Sequence, residues 1–108
     1  MTGSSGAKPK IRVVVDADSG IADIVPLFLE HVQEDLAAMH QALDRADYET
    51  IRILGHSLMG AGGGFGFDPI SDIGLTLEAA SGGQDAETVR ASLDRLADYV
   101  ERVELVYE

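Results

Sequence analysis

Three imidazoles and one run of glycines are the residues of this 108-residue chain whose types and spacing bear on chemistry. There is no cysteine, so thiolate nucleophiles, disulfide scaffolds and thiolate metal sites are excluded. His31 stands four residues before Asp35, and His40 four before Asp44, the spacing of ordinary surface pairs on a helix. A metal site in a helical bundle calls for Glu-x-x-His on two helices; the sequence holds no such pair, and no metal is expected. His56 stands apart. An imidazole titrates near neutral pH, and its neutral ring nitrogen is a nucleophile. Glycines at 60, 62, 63 and 64 follow it within about two helical turns.

The helix around His56 sets where that ring points. At about 100° per residue, with Ile51 at zero, Leu54, Leu58 and Ala61 fall near 300°, 340° and 280°. The buried direction is then roughly 310° to 320°. His56 falls near 140°, with Arg52 near 100°, Met59 near 80°, Gly63 near 120° and Gly60 near 180°. An exposed imidazole is expected, with two glycines on its own face. Each glycine inside a helix costs about 1 kcal/mol relative to alanine, so the run from 60 to 64 needs a reason. Three are open: the helix ends early, two helix backbones pack closely, or side chains are absent so that another protein's surface can reach the ring. A phosphate-cradling loop is the weakest reading, because no strand precedes the glycines and no Lys-Ser/Thr follows them.

The elements that must position His56 are helical. From Asp18 onward, Ile21, Ile24, Val25, Phe28, Val32, Leu36, Met39 and Leu43 recur every three or four residues, with Asp18 or Ser19 as cap. Pro26 implies a kink, or a helix that restarts with proline in its first turn. Asp47 opens the next helix, and Asp68-Pro69 reads as a capping carboxylate followed by the first helical position. Ile70, Ile73, Leu77 and Ala80 make the third stripe, stopped at Gly82-Gly83. After Asp85, Val89, Leu93, Leu96, Val100, Val103 and Tyr107 repeat at the spacing of a bundle seam. Helices are predicted at approximately 19–45, 48–64, 69–81 and 86–106. The fold class expected is all-α: an antiparallel up-down four-helix bundle over residues 18–108, behind a flexible or extended N-terminal arm, residues 1–17. Ile11 to Val15 is β-branched, but with no second strand in view it reads as an arm lying against the body.

Composition bounds the partners. Eight basic residues meet 19 acidic ones, a net charge of -11. Lys8, Lys10 and Arg12 lie before residue 13, so the remainder carries five positive and 19 negative charges, -14 net. Such a body repels nucleic-acid phosphates and anionic lipid, and neither is an expected partner. No apolar run is long enough to span a bilayer, and the chain opens on no export leader. A cytoplasmic monomer is expected.

His56-Ser57-Leu58-Met59-Gly60, followed by Gly66, resembles the signature of histidine-containing phosphotransfer domains, H-x-L-K-G-x5-G. The likeness extends over about Asp18 to Tyr107 and includes the Asp-Tyr-Glu that leads into the histidine helix. What the resemblance implies is a phosphorelay intermediate of two-component signalling. His56 would be the phosphoacceptor, taking a phosphoryl group from a receiver-domain aspartate or a histidine kinase and passing it to another receiver. The chain would need no cofactor of its own, since the receiver brings the acidic pocket and Mg²⁺. It would be a carrier without an ATP site rather than an enzyme. Gly60 and Gly63 would provide clearance for docking. Met59 departs from the family's lysine, and Arg52, one turn earlier on the same face, is the cation available in its place. A second reading follows from Met59: a helical adaptor that docks on a receiver or kinase without being phosphorylated.

Overall fold

The computed structural model describes residues 8–108; the expectation of a disordered leader at 1–7 lies outside them. The element order is β1 (Ile11–Val15), α1 (Val25–Asp44), α2 (Tyr48–Gly64), α3 (Asp68–Gly82), α4 (Ala86–Arg102) and β2 (Val103–Tyr107). Four helices make the body, α2 packing on α1 and α3, and α4 on α3 and α1. The core runs between them: Val25, Phe28, Val32 and Met39 from α1, Ile51 and Leu58 from α2, Ile70, Ile73 and Leu77 from α3, and Val89, Leu93 and Leu96 from α4.

The three interhelical connections share one construction. Two residues beyond each helix end the backbone turns left-handed, at Ala46 (φ 55), Gly66 (φ 84) and Gln84 (φ 53). The next amide then reaches back five residues, from Asp47 to the Ala42 carbonyl, Phe67 to Gly62 and Asp85 to Ala80. Those bonds satisfy carbonyls that a helix end leaves bare. The residue that donates them also begins the following helix. Asp47 and Asp85 accept from the amides of Thr50 and Thr88, so C-cap and N-cap are fused within three residues. In the middle connection the N-cap is Phe67, fully buried. Asp68 is therefore the first residue inside α3 and not its cap, correcting the sequence expectation, although Pro69 does sit in the first turn. Only one of the three left-handed positions is glycine; the Gly82-Gly83 pair ends α3 just before Gln84 takes the strained conformation.

Both ends of the predicted bundle differ. The first helix starts at Val25, not near 19, with Pro26 in its first turn; its cap is Ile24, without a side-chain bond, in place of Asp18 or Ser19. Proline favours a new start over a kink because the first turn has no hydrogen bond for it to break. Ile21 and Ile24, placed on the buried stripe by spacing, precede the helix and stand 38% and 43% exposed. At the other end α4 stops at Arg102, and Val103 and Tyr107 leave the helical seam for a strand. That strand is the partner Ile11–Val15 lacked: β1 and β2 pair in parallel, from Ile11 opposite Val103 to Val15 opposite Tyr107. Residues 11–15 are extended, as expected, but they are a paired strand and not a flexible arm. Arg102 donates to the Pro9 carbonyl, and Lys8 pairs with Asp98, fastening the approach to β1.

Candidate functional site

Helix α2 buries Ile51, Gly55, Leu58 and Gly62. On the same wheel these lie near 0°, 40°, 340° and 20°, so the buried direction is about 10°, some 50° from the direction predicted. The reason is glycine. Gly55 and Gly62 carry no apolar side chain to register in a hydrophobic stripe, yet both face α3 with their backbones. A Cβ on Gly74 of α3 would lie 2.6 Å from the Gly55 carbonyl oxygen and 2.6 Å from the Met59 amide. One on Gly62 would lie 2.7 Å from the Ser71 amide. The two helices thus touch backbone to backbone, and Ser71 Oγ donates across the seam to the Met59 carbonyl at 2.6 Å. Helix α2 also runs unbroken to Gly64, so the glycine run is not an early helix end.

His56 stands beside that seam, its side chain 64% exposed. Its Nδ1 lies 3.0 Å from Glu78 Oε2 on α3. A carboxylate only accepts, so Nδ1–H donates to it, and in the neutral ring that tautomer leaves the lone pair on Nε2. Sequence spacing gave no hint of Glu78: it lies 22 residues away, and only the close α2–α3 approach brings it to the ring. Laying the α3 wheel against α2 along the small residues Gly55, Gly62 and Gly74 would have found it.

The other expected site residues divide. Arg52 lies one turn before His56, its Nε and Nη2 donating to Glu49 Oε1 and Oε2 at 2.9 and 2.8 Å. This pair holds the Arg52 guanidinium charged beyond its usual range, with the nearby Glu78 carboxylate adding to it, and pulls the Glu49 carboxyl below its ordinary value. Met59 is half-buried, and its backbone belongs to the seam. Around Gly60 and Gly64 a Cβ would meet nothing within 4 Å, and at Gly63 only Ser71 Oγ at 3.8 Å. These three glycines leave open space, whereas Gly62 is close packing; of the readings left open by the sequence, the packing of two helix backbones applies to Gly62. Exposed Ile53 and Leu75, 52% and 54%, add an apolar rim on α2 and α3.

His31 and His40 are exposed elsewhere. His31 lies 3.5 Å from Asp35 and 3.8 Å from Glu34, the spacing expected of it, although Asp35 is buried and only the His31 side of the pair is at the surface; no such pair joins His40 to Asp44 among the described residues. A surface cavity of about 400 Å³ is lined by Tyr48, Glu49, Arg52, Ser81 and Gln84 and does not include His56. The imidazole is exposed outside that cavity. No helix is long and apolar enough to cross a membrane, and no cluster of metal-ligating side chains occurs among the described residues.

The family model for the Hpt domain matches residues 23–105. No curated protein and no solved structure matches the chain. The matched span holds all four helices, the histidine helix and the seam beside it. With most of its length so matched, the chain belongs to the Hpt domain family.

Proposed function

We propose that this chain is a phosphorelay intermediate in which His56 Nε2 accepts a phosphoryl group from a receiver-domain aspartyl phosphate and yields it to a second receiver carboxylate. The observation that carries the reading is the exposed ring whose Nδ1 is held at 3.0 Å by Glu78 while Nε2 is free. Attack by the Nε2 lone pair forms the N–P bond as the P–O bond to the receiver aspartate breaks and its carboxylate leaves. The ring keeps its Nδ1 proton and becomes cationic, and the Glu78 carboxylate offsets that charge. In the reverse direction the cationic ring is a good leaving group, so the same contact supports transfer in both senses. Such chemistry needs positioning and charge neutralisation more than a catalytic base.

The receiver is proposed to bring Mg²⁺ and the acidic pocket, and the open surface about Gly60, Gly63, Ile53 and Leu75 to admit it. The working unit is proposed to be one cytoplasmic chain, an up-down antiparallel bundle with no ATP site of its own. Mixing the chain with phosphorylated receivers tests the reading. An acid-labile, hydroxylamine-sensitive label on the wild type and none on His56→Gln is the expected result. His56→Gln should shift stability by no more than about 0.5 kcal/mol, since the side chain is exposed and away from core and caps. A label that persists in the variant moves the carrier to another residue; no label from any receiver favours an adaptor that docks without being phosphorylated.

A further inference from the structure

Helix α2 carries one Lys or Arg, Arg52, and α3 carries none, while Glu49, Asp68, Asp72 and Glu78 place four carboxylates on the same two helices. The family's lysine position is Met59, which cannot neutralise a phosphoryl group. Arg52 sits at the i,i+4 position before His56, where side chains of one helix face meet. Yet one edge of its guanidinium, Nε and Nη2, is already taken by a bidentate pair with Glu49.

Resting on the phosphocarrier reading, we infer that Arg52 is a switching cation and Glu49 its holding partner: the guanidinium lies on Glu49 while the ring is bare, and exchanges that carboxylate for the phosphoryl oxygens once Nε2 is loaded. The exchange is chemically like for like. A planar guanidinium forks onto carboxylate and phosphoryl oxygens with the same geometry, and the phosphoryl group carries the larger charge. Its present partner holds it weakly. Glu49 is 67% exposed and Arg52 43% exposed, and an i,i+3 pair in water is easily given up. Glu78 makes no hydrogen bond to Arg52 and acts on it only through its charge, its Oε2 being engaged by Nδ1 of the ring. Glu49 therefore acts on the reaction through Arg52, as a positioning residue that sets how much of the cation is available.

The test uses the full chain and phosphoramidate, a small donor whose P–N bond breaks as the Nε2–P bond forms and ammonia leaves. At low salt Glu49→Gln should load His56 about threefold faster than wild type, and Arg52→Gln about threefold slower, the scale of one exposed helix pair. In the Arg52→Gln background, adding Glu49→Gln should change nothing. The Arg52 Nε–H resonance of the wild type should move on loading. If Glu49→Gln speeds loading equally in both backgrounds, its charge acts by plain field and the inference fails while the carrier reading stands. If the wild type shows no phosphorus signal bonded to an imidazole nitrogen, the carrier reading fails and this inference with it.

Discussion

The two sides of α2 use glycine for opposite ends. Toward α3, Gly55 and Gly62 bring backbone against backbone, and Gly74 completes the contact from the other helix. Toward solvent, Gly60, Gly63 and Gly64 leave empty space beside an exposed imidazole. One side is a constraint on the fold, the other a vacancy on the surface. The difference teaches that a glycine count says nothing until the facing atoms are known. The seam also places the ring: it is narrow enough for Glu78 to reach His56 from the neighbouring helix.

Substitution separates the two sides, and the largest effect belongs to the seam. Gly74→Ala would set a Cβ 2.6 Å from two backbone atoms that belong to a rigid helix. Overpacking of this kind costs typically 1–3 kcal/mol, against a gain in helix propensity of about 1 kcal/mol. A net loss of about 1 kcal/mol, and at most about 2, is expected in urea unfolding, with the His56–Glu78 contact lengthened. Unchanged stability would show that the helices part freely and that the seam imposes nothing. Gly60→Ala, on the open side, should act in reverse and raise stability by up to about 1 kcal/mol. Gly60→Gln should keep the fold but block transfer from a receiver; transfer at the wild-type rate would mean that the open space serves no docking.

The smallest effect lies away from α2, at Asp35 on the buried stripe of α1. Burial pushes its carboxyl above the ordinary value, outweighing the attraction of His31. A group raised in the folded state costs stability while it is ionised, and that cost is relieved as pH falls through its folded pKa. Asp35→Asn should therefore raise the Tm at pH 7 by roughly 2 °C or less, and the gain should close on acidification. A loss at pH 7 that shrinks toward low pH would mean that the His31 pairing outweighs burial.

Much of this was legible in the residues. The stripe Ile70, Ile73, Leu77 and Ala80 is buried as its spacing predicts, and α2 keeps its expected limits. Local rules succeed there because side chains state the buried face. They fail where the decisive group is absent or distant. Gly55, Gly62 and Gly74 leave no apolar mark, so the apolar stripe of α2 points some 50° away from its buried face. Glu78 is silent in sequence because its partner lies on another helix. Val103 and Tyr107 fit a helical period and a strand alternation equally, and only β1, some 90 residues earlier, decides between them. Exposure of His56 survives that offset because the ring lies far enough from either direction.

The parallel pairing of β1 and β2 has a mechanical consequence. Tension applied through the two chain ends enters at Ile11 and leaves at Tyr107, at opposite ends of the ladder. Such a load shears all five paired positions together, whereas a hairpin pulled from neighbouring ends opens one bond at a time. The bonds from Ala17 to Glu108 and from Glu108 to Val15 lengthen the sheared ladder by a further step. Force is therefore borne by the strands and by the Lys8 and Pro9 contacts to the end of α4 before it reaches the histidine helix, and the rupture rate of this short clamp, rather than the packing of the bundle, sets how long a stretched molecule keeps its imidazole in place.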